Sequence, residues 1–410
     1  MATTVASGGL KFSGNVCVEW YSCKLMRELR ERLTAERVEA CRAIPGGEVV
    51  LGKPSYTDAE RALLRVQDRL ERLRMLESQL SENTYDGEKV RTNWVGERQP
   101  VGGKFALHMS GRVKWVRVRY GRAFGVGRQY VMDHPTITKP ASERGEMERD
   151  LSATAQGMSA DMRAALMPMC HDVDIVSCHP SIFRTMARRV GVAVPSLDDY
   201  VLRPKYWRRE VVVHHQLASG DDDPAFDAAM DKSKRLFTSL VYGGKYETRL
   251  WEWDRRSDAR LPFVTKLEKE LQLLRDTYFA HSSHRNFFSA MMERQRGRKT
   301  KKRGPDGELR KDASGRVALK SDEEVRRATW AHFAFTLEDG ALQAMKRSFE
   351  KQGFTIYALV FDGCMIMHNP EVDVALAIET AQREIVKTTG LDIKIIEKKL
   401  YDPELVSAMQ

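Results

Sequence analysis

The sequence contains no long apolar run and no closely spaced pair of cysteines. None of its 410 residues lies in an apolar stretch of about 20 positions, the length that spans a bilayer, and residues 1–14 lack the apolar core of a signal peptide. The six cysteines lie at positions 17, 23, 41, 170, 178 and 364. None forms a CxxC pair, which favours free thiols in a reducing compartment. We therefore expect a soluble intracellular protein without a membrane partner.

Two of the cysteines directly precede a histidine, which raises the question of a zinc site. Cys170-His171 and Cys178-His179 supply four side chains of the types that bind zinc. Adjacent side chains on a strand point to opposite faces, so neither pair would easily turn both members toward one metal. The sequence therefore argues against a structural zinc site.

Acidic residues are outnumbered by basic ones. The chain has 57 Asp and Glu against 67 Lys and Arg, which gives a formal net charge of +10. The hydrophobic content of 42% and the charged content of 30% are typical of a globular protein, and the length is typical of two or three domains with a sizeable core. The basic excess favours an anionic partner, and we expect nucleic acid.

Two segments carry basic residues in patterns that suit a phosphate backbone. In Arg112–Tyr120 apolar residues alternate with Arg and Lys, which predicts a strand with one core face and one positive face. Residues 294–316 are rich in Lys, Arg and Gly, which predicts a flexible loop that is either a solvated insertion or a contact to nucleic acid. Upstream, the apolar spacing in Thr57–Gln79 predicts a long amphipathic helix.

A strand that carries acidic residues is predicted within Asp172–Ile182. Apolar and polar residues alternate as far as Cys178, and Pro180 would end the strand so that a helix begins at Ser181. A carboxylate on such a strand either ends it in solvent or holds a metal ion at the edge of a sheet.

Two later stretches combine charged residues with turn residues. Lys232–Gly244 is typical of a helix with basic residues at its start and Tyr-Gly-Gly at its end. Tyr357–Met367 consists of two apolar runs joined at Asp-Gly, which predicts a β-hairpin with Asp362 at its tip.

The remaining C-terminal pattern predicts helices and one more strand around that hairpin. A helix is expected over Ser321–Lys351 with a break near Gly340, a second helix over Val372–Thr389, and a strand over Ile393–Lys398. This order is what an antiparallel sheet backed by helices requires.

In this order, the three stretches resemble motifs A, B and C of the family A DNA polymerases and of the single-subunit phage and mitochondrial RNA polymerases. The resemblance covers roughly the last two-thirds of the chain. It implies that Asp174 and Asp362 hold two Mg²⁺ ions, with Mn²⁺ as a possible substitute and the Ile175 carbonyl as a further ligand. It also implies that Lys234 holds the triphosphate and that Tyr242 packs on the incoming or templating base.

Further residues match elements of the family that precede motif A, namely Tyr120-Gly121-Arg122, Leu151–Gln156 and Arg163. The resemblance thus implies four sets of site residues. They are catalytic Asp174, Asp362 and Lys234; metal-binding Asp174, Ile175 and Asp362; nucleotide-binding Lys234, Arg235, Tyr242, Gly243 and His179; and nucleic-acid-binding Arg122, Arg128, Gln156 and Arg163.

Several positions depart from the family's pattern. Met230 stands one turn before the lysine of the fingers helix, where the family usually has an arginine. Phe361 and Gly363 flank the motif C acid in place of the usual His and Glu or Ser. His179 occupies a motif A position that is Glu in most of the DNA polymerases and Gly in the RNA polymerases. Its imidazole would fill the space of a 2′-hydroxyl, although it could also donate a hydrogen bond to that hydroxyl.

The implied fold is an α+β right-hand palm, an antiparallel sheet backed by helices, with helical fingers and a reduced N-terminal thumb-like region. The predicted parts are 1–91, an N-terminal helical region; 92–224, palm with motif A; 225–320, fingers with motif B and a basic loop; and 321–410, palm with motif C.

The implied function is template-directed nucleotidyl transfer on a primer-template with nucleoside triphosphates. A compact DNA polymerase without a proofreading domain is favoured. The alternatives are a single-subunit-type RNA polymerase or primase, a polymerase-like nucleic-acid-binding protein without activity, and a metal-dependent nuclease.

Overall fold

The fold is α+β and consists of helices around two small antiparallel sheets. A computed structural model describes residues 11–49, 56–85, 111–122, 126–133, 153–220, 222–223, 225–250, 253, 259–298, 310–312 and 314–398. The helices are α1 Cys23–Arg42, α2 Asp58–Gln79, α3 Ala160–Leu166, α4 Cys178–Arg189, α5 Pro195–Leu202, α6 Pro204–His214, α7 Phe226–Val241, α8 Tyr246–Leu250, α9 Pro262–Ala280, α10 Arg285–Arg296, α11 Asp322–Lys351 and α12 Val374–Thr389. No helix in these ranges is long and apolar enough to cross a membrane.

The two sheets each contain four strands. The first consists of β1 Lys11–Ser22, β2 Ser81–Tyr85, β3 Gly111–Arg122 and β4 Gln129–Asp133, and the other three strands all pair with β3. The second consists of β5 Cys170–Ile175, β6 Ile356–Val360, β7 Gly363–Met367 and β8 Ile395–Lys398, in the spatial order β6-β7-β5-β8. The second sheet carries both acids of the predicted active site.

Strands β6 and β7 of the second sheet are buried because helix α11 and the first sheet both pack against this part of the sheet. All residues of β6 and β7 are buried, and α11 contacts both strands. β1 also packs on β6, and the Leu359 backbone N–H donates to the Tyr120 hydroxyl at 3.1 Å. A strand that is covered on both faces is apolar almost throughout, and β6 and β7 have such sequences.

The long helix α11 contacts both the second sheet and the helices α4 and α10. Ser321 and Glu324 form a capping box at its start, and the helix continues through Gly340 without the predicted break. In its middle, the Trp330 indole donates to the Val241 carbonyl at the end of α7, and its ring stacks on Phe183 of α4. The end of α7 and the start of α4 therefore lie beside α11, which helps to position the site.

Most of the predicted helices and strands are confirmed, within a few residues at their ends. The N-terminal region contains a strand, β1, that the sequence did not predict, and β1 pairs with β3 across the predicted boundary at residue 91. The basic segment is partly helical, because α10 continues to Arg296, and residues 299–309 and 313 of that segment lie outside the described residues. The predicted domain boundaries stay predictions.

Candidate active site

Asp174 and Asp362 lie close together at the end of two adjacent strands. Asp174 of β5 pairs with Gly363, the first residue of β7, and the Ile175 backbone N–H donates to the Asp362 carbonyl at 3.3 Å. Val360, the last residue of β6, comes just before the turn that carries Asp362. The antiparallel pairing thus brings together two acids that are far apart in the sequence.

The turn differs in one respect from the Asp-Gly turn that the sequence predicts. Phe361 and Asp362 connect the two strands, and Gly363 already belongs to β7. Phe361 has a positive φ of 54°, which is uncommon for a bulky residue and is the kind of backbone strain that is found at functional sites. The tip of the hairpin is therefore a constrained support for Asp362.

Glycine is required at position 363 because the strands approach each other closely there. A Cβ atom on Gly363 would lie 2.5 Å from the Val173 carbonyl oxygen and 2.9 Å from Oδ1 of Asp174. Any larger residue would push β7 away from β5 and move the two acids apart.

We expect Gly363→Ala to lower the free energy of unfolding by about 2–3 kcal/mol, because the methyl group would overpack the sheet. Gly340→Ala is the control, since a Cβ on that helical glycine would have its nearest neighbour, Thr389, at 4.0 Å. The control should raise stability by up to about 1 kcal/mol through helix propensity. Denaturant unfolding measures both, and equal stability of Gly363→Ala and the unchanged protein would contradict the close approach.

The electrostatics at this sheet edge favour a bound cation. Desolvation raises the pKa of Asp362 to about 7, and the charges of Asp174 and Glu338 raise it as well, whereas Arg128 lowers it. Lys398 of β8 is paired in register with Asp172, and its ammonium group forms an ion pair with Oδ2 of Asp174. The ammonium thus occupies one position at which a cation can neutralise the cluster.

His179 lies at the start of α4 and contacts residues from two other helices. Its Nδ1 atom lies 2.7 Å from the Tyr242 hydroxyl, and its Nε2 atom lies 2.8 Å from Oε2 of Glu338. Helix α4 begins at Cys178, so the prediction of a strand as far as Cys178 with a helix from Ser181 was wrong. The strand ends earlier because Ser177 adopts a left-handed conformation, which turns the chain sharply.

Glu338 of α11 links His179 to Arg128. Its side chain is fully buried, and the Arg128 guanidinium donates to both carboxylate oxygens at 2.6 Å. Burial raises the pKa of Glu338, but the contacts with His179 and Arg128 outweigh it and lower the pKa overall. The guanidinium also lies over the rings of Phe335 and Phe361, at 4.7 and 5.1 Å. Tyr242, His179, Glu338 and Arg128 therefore form one connected polar network beside Asp362.

Helix α7 places Lys234, Arg235 and Tyr242 along a cleft of about 420 Å³. The residues that line the cleft are Asp231, Lys234, Arg235, Thr238, Ser239, Tyr242 and Arg327. Gly243 follows with a φ of +78°, and the Gly244 N–H donates to the Ser239 carbonyl at 2.7 Å. The two glycines end α7 and hold Tyr242 between the cleft and His179.

The four residues predicted to bind nucleic acid have partners within the protein. Arg122 forms an ion pair with Asp339 at 2.8 Å, and Arg128 binds Glu338. The Gln156 amide accepts from the Val131 N–H and donates to the Gln129 and Leu359 carbonyls, and Arg163 lies 3.6 Å from Asp172 and donates to the Met158 carbonyl. Each has a structural role in the described protein, and the contact of any of them with nucleic acid stays a prediction.

Cys178, His179 and Glu338 also form a cluster whose ligand-type atoms all lie within 4.8 Å of one another. Cys178 and His179 would face opposite sides only on a strand, whereas both lie in the first turn of α4. Sulfur and nitrogen ligands do not suit Mg²⁺, and Arg128 already neutralises Glu338. The oxygen ligands of Asp174 and Asp362 fit a hard divalent cation better.

Sequence reasoning missed Glu338, Phe335, Arg327 and Lys398. The first three lie on α11, which the sequence presented only as a long helix. A signal was available, since Glu338 and Asp339 are acids within an apolar helical pattern, and buried charges require partners.

Comparison of the chain with protein-family models and with curated proteins found no match. The resemblance to polymerases therefore depends on the residues of this chain alone.

Proposed function

We propose that this protein is a template-directed nucleotidyltransferase, most simply a compact DNA polymerase that extends a primer. The observation that carries the proposal is the position of Asp174 on β5 beside Asp362 in the turn before β7, next to a network that ends in Tyr242 at the cationic cleft. A nuclease would also use paired acids, but it would have no need of the Lys234 helix.

The chemistry of the sheet edge suits divalent cations, because the carboxylates of Asp362 and Asp174 interact electrostatically and the Lys398 ammonium group already pairs with Asp174. Asp174, Asp362 and the Ile175 carbonyl would hold the ions. Two Mg²⁺ ions, or Mn²⁺ in their place, would favour deprotonation of the primer hydroxyl and neutralise the charge of the leaving pyrophosphate.

The protein's own residues would hold and orient the nucleotide. Lys234 is an exposed cation on the cleft, suited to the triphosphate as a compact point charge. Tyr242 would pack on a base, and the contact of its hydroxyl with His179 holds the ring in place. Orientation of this kind lowers the entropic cost of bringing primer and nucleotide together.

The position of His179 supports a preference for deoxynucleotides. The imidazole is buried between Tyr242, Glu338 and Phe335, so it fills space beside the tyrosine. Since both ring nitrogens already have close neighbours, a 2′-hydroxyl would have to displace one of them.

Primer extension on DNA and RNA templates, with ribo- and deoxynucleotides in competition, tests both the proposed function and the preference for deoxynucleotides.

Lys398 would compete with a divalent cation for Asp174. We expect Lys398→Ala to bind Mn²⁺ roughly 3- to 10-fold more tightly, because its half-exposed ion pair with Asp174 is lost and an ion pair of this kind contributes modestly. Lys394→Ala removes the same charge from an exposed side chain just before β8 and is the control. Calorimetric titration with Mn²⁺ measures the affinity. Equal affinities for the two variants would contradict the competition.

A further inference from the structure

The cleft beside α7 is lined by three cations that have no acidic partner in the described part of the chain. Lys234 and Arg235 project from α7, and Arg327 reaches the cleft from α11. Asp231 is the one acid among the lining residues, and it forms no ion pair with any of the three. A concave site with an excess of unpaired cations favours an anionic ligand.

Arg327 is held at the cleft by its surroundings. Its Nε atom is buried and has no hydrogen-bond partner. Its Cγ atom lies 3.4 Å from the position that a Cβ on Gly243 would occupy, so the side chain packs against the end of α7. An unsatisfied buried donor is costly, and a ligand that accepts from it would remove that cost.

Two further arginines, Arg275 and Arg326, lie near Arg327 and share one carboxylate. Asp276 pairs with both Arg326, at 2.9 Å, and Arg275, at 3.7 Å. Burial lowers the pKa of Arg275, Asp276 and Glu323 raise it, and the charges of Arg326 and Arg327 lower it. One carboxylate is therefore shared by two guanidinium groups, and Arg327 forms no ion pair with it in the described part of the chain.

Phosphate oxygens fit this arrangement. The planar guanidinium of Arg327 can donate two parallel hydrogen bonds to one phosphate, whereas Lys234 supplies a compact charge. The residue one helical turn before Lys234 is Met230, so α7 offers no second cation to a phosphate on that side of Lys234. A nucleic-acid strand spreads its charge along its length, with one phosphate per about 3.4 Å of helix axis. A cluster of cations at a single cleft suits the adjacent phosphates of a triphosphate better.

We propose that Arg327 binds the terminal phosphates of a nucleoside triphosphate together with Lys234, so that the phosphate site is built from both α7 and α11. This inference rests on the proposed function and adds to it a second phosphate-binding residue, supplied by a helix outside the predicted motifs. Because α11 also carries Glu338, the same helix would contact the phosphates and support His179.

Three variants test the proposal. Arg327→Ala removes the guanidinium, and Arg327→Lys keeps the positive charge without the planar guanidinium. Arg326→Ala, the control, removes the adjacent exposed arginine that pairs with Asp276. The affinity for a deoxynucleoside triphosphate and for the matching monophosphate is measured by calorimetry, and the affinity for primer-template by fluorescence anisotropy. Thermal unfolding shows whether each variant is folded.

We expect Arg327→Ala to weaken triphosphate binding about 10- to 100-fold, as for the loss of charge-assisted hydrogen bonds. Binding of the monophosphate and of primer-template should be unchanged, Arg327→Lys should recover part of the affinity, and Arg326→Ala should behave like the unchanged protein. If Arg327→Ala and Arg327→Lys instead lost primer-template affinity and kept triphosphate affinity, Arg327 would be a template contact and the proposal would be overturned.

The same measurements separate this proposal from the proposed function. Triphosphate binding that depends on Arg327, in a protein that extends no primer, would support the phosphate site and reject the polymerase. Primer extension with normal triphosphate affinity in Arg327→Ala would support the polymerase and reject the role of Arg327.

Discussion

Asp174→Asn and Asp362→Asn are each expected to reduce primer extension roughly 10³-fold or more, because in the proposed function each would remove an anionic metal ligand that stabilises charge in the transition state. Asparagine keeps the shape of the side chain and the pairing of β5 with β7. Affinity for primer-template should stay within about 2-fold of the unchanged protein, because we expect it to come from Lys and Arg residues spread over the surface.

The free energy of unfolding of Asp362→Asn shows whether a loss of activity comes from a missing metal ligand or from a damaged fold. The pKa of Asp362 is raised in the folded protein, so ionisation of this group costs stability as the pH rises through about 7. Asparagine cannot ionise, and we therefore expect the metal-free variant to be at least as stable as the unchanged protein at pH 8. Asp322→Asn, at an exposed position on α11, is the control for both activity and stability. Normal extension by either active-site variant would reject the assignment of the metal ligands.

Lys234→Ala is expected to lower the efficiency of nucleotide addition by about 10- to 100-fold, because triphosphate binding and departure of pyrophosphate both lose a charge-assisted contact. Lys232→Ala is the matched control, since Lys232 lies on the same helix and is exposed but does not line the cleft. Single-turnover extension over a range of nucleotide concentrations measures the effect. A loss of primer-template affinity with normal nucleotide kinetics would show that Lys234 contacts the nucleic-acid backbone instead.

Elements that are determined by neighbouring residues could be predicted from the sequence. Thr57 and Glu60 form a capping box at the start of α2, and Gly390 ends α12 in the left-handed conformation. The apolar runs of β6 and β7 predicted a hairpin that places Asp362 at its tip. Signals of this kind act within a few residues, so no knowledge of distant contacts was needed.

Strand β1 could not be predicted because its partner lies far away in the sequence and its core face includes an acid. Cys17, Glu19 and Tyr21 are buried in alternation, but a glutamate in that pattern obscures the signal. Glu19 is tolerated because the Tyr21 hydroxyl and the Ala155 N–H donate to its carboxylate. Burial nevertheless raises its pKa to about 7.

The candidate site was predictable only in part for the same reason. Asp174, Asp362 and Lys234 each lie in a local pattern that resembles a motif. Glu338 and Arg327 reach the site because α11 packs between α4 and the end of α7, which depends on contacts such as that of Trp330 with Val241. Packing between elements that are distant in the sequence leaves no local signature.

The most direct test of the central claim is extension of a labelled primer by one nucleotide, on DNA and on RNA templates, with Mg²⁺, with Mn²⁺ and with a chelator. We expect addition of the nucleotide that complements the template, only with a divalent cation, and its loss in Asp174→Asn and in Asp362→Asn. No extension by the unchanged protein on any template, or extension by either variant equal to that of the unchanged protein, would reject the proposed function.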